Sequence, residues 1–231
     1  MRELIVLSAG AARGLIEARR AGIGRRFGAA LACRYAPVDA VWQALEGGAA
    51  ADLVVLSRAA FGALRPDVAQ RFGAPQTLGW AQTRCVRRAD DPLPPLATAD
   101  ALRRALLDSP LLLVPDLERS TGGRHLAAVF RALGVAETLA PRMRHYAGGF
   151  EAASALAAQH ASGALACAQS TEAAQVPGVA DAGMPAEFSL ATEYCIGMRS
   201  AAEAPCADVV RELLHAARAD GGFSPGPSIH S

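Results

Sequence analysis

Residues 111–134 read "LLLVPDLERSTGGRHLAAVFRALG", and the order of patterns within them decides the fold. An apolar run ending at Pro115-Asp116 has the length of a buried strand. Leu126, Val129, Phe130 and Leu133 then recur at i, i+3, i+4 and i+7 until Gly134 stops the helix. Between them lies a turn of hydroxyl residues and glycines, Ser120-Thr121-Gly122-Gly123. Strand, turn and helix in this order are the start of a βαβ unit, from which parallel sheets are built. The turn also raises a chemical question, because capping a helix and cradling an anion use the same backbone N–H groups.

The same alternation recurs on both sides. Towards the N-terminus, "LIVLS" (4–8), "ALACRY" (30–35) and "ADLVVLS" (51–57) read as strands, with helices expected at "ARGLIEARRAGIGRRFG" (12–28) and at "DAVWQALEGG" (39–48), the latter N-capped by Asp39. A Pro-rich connection at 92–95 precedes a fresh start: a helix capped by Thr98, the opening stretch, a helix over 150–163, the strand "ALACAQ" (164–169) and a short helix at "STEAAQ" (170–175). "ATEYCIGM" (191–198) reads as a further strand, and an amphipathic helix with Pro205 in its first turn follows. The tail 224–231, "SPGPSIHS", is expected to be disordered.

Composition narrows the chemistry. The 231 residues are 52% hydrophobic with net charge +1, enough for one sizeable core or two small ones and without the basic face that nucleic acid requires. All 23 basic side chains are Arg, so a Schiff-base lysine and a phosphate-loop lysine are excluded. Five cysteines with no CxxC spacing argue against a disulfide framework or a zinc site, and no cofactor or metal is expected. The apolar run after Met1 is too short for a signal peptide or a membrane span. If the chain is complete it is expected to be cytoplasmic; as a mature domain behind a new Met it would be periplasmic.

Familiar catalytic motifs are missing: there is no HExxH, GxSxG, GxGxxG or GxxxxGK[ST]. The strand ends are then the places to look, since ligands of open α/β sheets sit beyond the carboxyl ends of strands. Six junctions qualify: Ser8-Ala9-Gly10-Ala11, Pro37-Val38-Asp39, Ser57-Arg58, Glu118-Arg119-Ser120-Thr121-Gly122, Gly148-Gly149-Phe150 and Gln169-Ser170-Thr171. Each alone is an ordinary helix cap; their repetition points to a small anion held by N–H and O–H donors. Arg58, Arg119 or Arg124 would add a bidentate carboxylate clamp.

In this order the junctions resemble the substrate-binding protein of molybdate ABC transporters. The matching pieces are "LIVLSAGA", "ALEGGAAADLVVLS", "LLLVPDLERSTGGRHLAAVFRALGV", "ALACAQSTEA" and "PAEFSLATEYCIGM". The resemblance implies an α/β fold of periplasmic-binding-protein type II, two Rossmann-like lobes with a ligand cleft. Lobe one would be residues 1–82 plus 195–231 and lobe two 83–194, with "QTRCVRR" and "ATEYCIGM" as the crossing strands. By resemblance the ligand would meet Ser8, Gly10, Ala11, Val38, Ser57, Arg58, Arg119, Ser120, Thr121, Gly122, Gly149, Phe150, Gln169 and Ser170.

Several oxyanion-binding hydroxyls of that family are replaced here. The serine after strand one becomes Ala11, the second-strand serines become Pro37-Val38-Asp39, and the ligand tyrosine becomes Gln169; Gly122 stands where an alanine backbone faces the oxyanion. Hydrogen bonds to a charged group are worth about 1.5–3 kcal/mol each, so losing two or three would cost several powers of ten in affinity.

The expectation is therefore a two-lobe binding protein for a small anion, an organic (poly)carboxylate rather than molybdate, serving an ABC permease if exported. The alternative is an enzyme similar to aconitate isomerases, shifting a double bond in a tricarboxylate by proton transfer, with Glu118, His145, Tyr146 or Glu151 as base. Neither nucleic-acid binding nor membrane insertion is expected.

Overall fold

The computed structural model describes residues 2–92, 96–200, 204–219 and 222–226. In chain order its elements are β1 (Arg2–Ala9), α1 (Arg13–Phe27), β2 (Ala29–Ala36), α2 (Val38–Glu46), β3 (Leu53–Ser57), α3 (Arg58–Gly62), α4 (Pro66–Ala69) and β4 (Gln76–Arg88). There follow α5 (Ala99–Asp108), β5 (Leu112–Pro115), α6 (Thr121–Ala132), α7 (Ala136–Leu139), β6 (Met143–Tyr146), α8 (Gly149–Ala157), β7 (Leu165–Gln169), α9 (Ser170–Ala173), β8 (Val179–Gly183), β9 (Ala191–Met198) and α10 (Ala204–Ala219). The chain divides into two compact units, residues 1–81 with 191–231, and residues 82–190. It leaves the first unit within β4 and re-enters it at the start of β9.

In the first unit β1 pairs in parallel with β2 and β3, as the βαβαβ reading requires, and β9 adds antiparallel to β3. β3 is buried at all five positions, the signature of a strand covered on both faces. One apolar cluster holds the unit together, with Ile16 and Ile23 of α1, Leu45 of α2, Val54 and Leu56 of β3 and Val209 and Leu213 of α10 all sealed from solvent. Gly28 ends α1 in the left-handed conformation at φ 62°, where its N–H bonds the Gly24 carbonyl. Asp52, buried before β3, accepts from Ile5 N at 2.9 Å and from Arg199 Nη2 at 2.6 Å, so its charge is met.

Two expectations change here. Asp39 is not the cap of α2: Pro37 occupies that position and Asp39 sits in the first turn, where a carboxylate faces the positive helix end. Ser224, the first residue of the stretch expected to be disordered, pairs with Trp80 through N–H···O bonds of 3.0 and 2.9 Å, and Gly226 packs on the Trp80 ring. Residues 227–231 of that stretch lie outside the described residues.

In the second unit β5 pairs in parallel with β6 and β7, and β4 pairs antiparallel with β7 and β8. Side chains alternate between two cores: Leu112 and Val114 enter the one built on Leu102, Leu126 and Phe130, while Leu113 enters the one built on Ala152, Ala153 and Leu156. Thr98 caps α5 as expected, accepting from Ala101 N at 3.2 Å.

Candidate functional site

Because β5, β6 and β7 run parallel, their carboxyl ends share one edge of the second unit's sheet. Pro115 lies opposite Tyr146, and the β5–β7 register of Leu113 with Ala166 brings the end of β7 to the same level. The turns into α6, α8 and α9 therefore line one edge, and they carry Glu118 to Gly122, Gly148 to Phe150, and Gln169 with Ser170.

The turn into α6 is built by Asp116. Its Oδ1 accepts from Glu118 N at 2.9 Å and Arg119 N at 3.0 Å, and these amides hold the carboxyl below the usual carboxylate range. Ser120 Oγ caps the helix by accepting from Gly123 N at 2.9 Å and itself donates to the Asp116 carbonyl. Gly123 has no room for a side chain, since a Cβ would collide with that same carbonyl oxygen. Gly122, one residue earlier, faces open space. Capping uses the third amide of α6; the first two, of Thr121 and Gly122, have no acceptor within the helix.

The starts of α8 and α9 are joined by a residue that the sequence reading passed over. Glu172 is buried, at 9% exposure, and its carboxylate accepts from Gln169 N at 3.0 Å in a capping box and from the backbone of Gly149. Burial, together with the nearby Glu151 carboxylate, outweighs these two amides and lifts its pKa to about 7. Gly149 must be glycine here, because a Cβ would run into the Glu172 carboxylate. Ser170 Oγ accepts from Gln82 N at 3.1 Å, which ties the α9 turn to β4. The buried hydroxyls of Thr83 and Thr171 lie nearby in the chain and have no protein partner.

Of the candidate bases, Glu118 is exposed on the α6 turn, His145 and Tyr146 end β6, and Glu151 is exposed in the first turn of α8. His125 of α6 has its Nε2 2.7 Å from the Phe188 carbonyl. Arg119 is exposed on the turn, and Arg124 Nη1 donates to the carbonyls of Glu118 and Arg119.

The corresponding edge of the first unit is different. Ser8 is fully buried and donates to the Ala9 carbonyl, Ser57 caps α3 by accepting from Ala60 N, and Ala11 and Val38 belong to the apolar core. Gly10 opens a 3-10 turn. Arg58 is not a free clamp: Nε and Nη2 grip Glu193 at 3.2 and 2.9 Å, Nη2 also donates to Thr77 Oγ1 at 2.8 Å, and Nη1 reaches the Pro75 carbonyl. The guanidinium holds the Glu193 carboxyl below its ordinary range. Glu193 and Thr77 carry no motif, and their separations from Arg58 of 135 and 19 residues hid the cluster from a sequence reading.

Among the described residues no group of three His, Cys, Asp or Glu side chains could hold a metal ion, and no helix is long and apolar enough to cross a membrane.

Comparison with solved structures finds the same architecture. The periplasmic molybdate-binding protein of Azotobacter vinelandii matches with a TM-score of 0.64 over 97% of this chain and 93% of its own, at 17% identity. The sulfate-binding protein SubI of Mycobacterium tuberculosis gives 0.67 over 99% and 88%, at 15% identity. The regulatory domain of Synechocystis CcmR, in complex with 2-PG, gives 0.61 over 95% and 99%, at 13% identity. At such identities the likeness is one of fold, and the fold is the periplasmic-binding-protein type II architecture implied by the sequence. No curated protein matches the sequence. The model of one protein family does, over residues 4–222, and by that match the chain belongs to the bacterial extracellular solute-binding proteins.

Proposed function

We propose that this protein binds a small anion at the carboxyl edge of β5, β6 and β7, and that an organic carboxylate suits it better than molybdate. The observation that carries the reading is the open start of α6: two amides without an intrahelical acceptor, at Thr121 and Gly122, the second on a glycine that faces open space. A twelve-residue helix places its positive end there. Membership of a solute-binding family supports a ligand-binding role, and structural neighbours named for molybdate and sulfate binding favour an anion.

The preference for a carboxylate rests on the donor set. Of the residues that the resemblance assigns to the ligand, Ala11 and Val38 offer no hydroxyl and Ser8 already donates its own to the Ala9 carbonyl, which leaves few O–H donors for a tetrahedral oxyanion. A planar carboxylate needs fewer donors and can be met by the α6 amides with Arg119. The isomerase alternative has no observation of its own in its favour, and it enters the test as an outcome.

The test is a thermal-shift panel of molybdate, tungstate, sulfate, citrate, and cis- and trans-aconitate. A ligand at 100 times its Kd adds about 2.7 kcal/mol, a rise in midpoint of roughly 5–10 °C for a chain of this size. Stabilisation by a carboxylate, weakened in Ser120→Ala and Arg119→Gln, is the expected result. Stabilisation by molybdate or sulfate alone would refute the carboxylate preference, and no response to any anion would refute anion binding. Turnover of aconitate would replace the receptor reading with the enzymatic one.

A further inference from the structure

We propose that Cys85 and Cys167 form a disulfide when the chain folds in an oxidising environment. The sequence shows five cysteines without a pairing pattern, and the sheet register selects two of them. Cys85 of β4 and Cys167 of β7 are directly opposite in the antiparallel ladder, with Sγ atoms 3.9 Å apart. Opposed residues of such a ladder point to the same face with Cα atoms about 4.5–5.5 Å apart, inside the range a disulfide spans. Both side chains enter the same apolar core, so a turn about the Cα–Cβ bonds closes the gap without moving the strands. Cys33 on β2, Cys195 on β9 and Cys206 on α10 belong to the other unit, so no third cysteine competes within residues 82–190.

The timing follows from burial. Both residues have zero exposure, and the neighbouring Cys85 together with burial holds the Cys167 thiol well above its ordinary pKa. Thiolate is scarce in the finished core and no oxidant reaches it, so the bond forms before β4 and β7 are sealed. One cysteine thiolate attacks a small-molecule disulfide such as oxidised glutathione, whose S–S bond breaks and releases a first glutathione thiolate. The second cysteine thiolate attacks the mixed disulfide, forming the Cys85–Cys167 bond and releasing the second. The two protons lost by the cysteines end on the two reduced glutathiones. The product closes a loop with a sequence separation of 82 residues and fastens β4, whose Gln82 N–H bonds Ser170, to the strand that carries Gln169.

The full chain is refolded with oxidised glutathione and, separately, produced behind an export leader in an oxidising periplasm. Digestion with trypsin and a glutamate-specific protease frees Cys85-Val86-Arg87 and separates Cys167 from Cys195 by cleavage after Glu172. The expected result is those two peptides joined, and a melting midpoint higher by roughly 10 °C than that of the protein folded with reductant. Cys85→Ala with Cys167→Ala should melt at one temperature in both conditions. Free thiols at both positions in soluble protein from both preparations would overturn the proposal, as would a disulfide joining other cysteines.

Discussion

Glu172→Gln should change how stability depends on pH. In the folded protein burial lifts this carboxyl to about 7 from the ordinary 4.5, so the folded state holds its proton more tightly than the unfolded chain does. A carboxyl shifted upward costs stability as pH rises, beginning near the unfolded value and complete above the folded one. The whole cost is about 3 kcal/mol, of which about 2.5 falls between pH 5 and pH 8. Glutamine cannot titrate, so whatever the substitution costs does not vary with pH. Urea unfolding at pH 5, 6, 7 and 8 reads the difference between the two proteins. The wild type should lead most at pH 5, and its advantage should shrink by roughly 2.5 kcal/mol by pH 8. A gap that stays constant, or that widens with pH, would show that Glu172 is not held protonated by burial and would refute the reasoning.

The glycines give a graded set: Gly122→Ala should leave stability unchanged or raise it by up to about 1 kcal/mol, because its Cβ meets nothing. Gly123→Ala and Gly149→Ala should each cost more than about 3 kcal/mol, the first through collision with the rigid Asp116 carbonyl and the second because its Cβ would meet the Ala168 Cα as well as the Glu172 carboxylate, all read by urea unfolding. Loss of ligand-induced stabilisation in Gly122→Ala, with folding intact, would locate the anion against that backbone. Arg58→Gln should cost under about 1 kcal/mol at neutral pH, since the pair is partly exposed. That cost should disappear as pH falls through the depressed pKa of Glu193, and the response to the anion panel should be unchanged.

The interior of the fold was legible where burial writes a pattern. The wholly buried strands β3, β5 and β7, apolar up to their last residue, and the stripe of α6 could be read directly, because each is set by what its own residues must hide. The strand β6, "MRHY", could not: it lies at the sheet edge with two exposed positions, so its polar residues read as a loop with acid/base candidates. The site was half legible for the same reason. Ser120 and Thr98 cap helices that begin where the sequence places them, a property of three adjacent residues. Arg58 looked free because its partner Glu193 lies 135 residues away. Glu172 carried a signal, since Gln169 and Glu172 have capping-box spacing. Its burial depends on Gly149, contributed by a separate helix start, and no local pattern reports that.

The division of the first unit into two sequence segments fixes the order in which the chain can be completed during synthesis. Residues 82–190 are contiguous and hold all of β5 to β8, so the second unit can close while the ribosome is still adding β9. The first unit must wait with one side of β3 unpaired and with the face of α1 that receives α10 uncovered. The clasp of Trp80 against Ser224 closes only once residue 224 has emerged. A nascent chain halted before Ala191 would therefore expose a sheet edge and an apolar helix face together, the combination that chaperones recognise and that aggregation exploits.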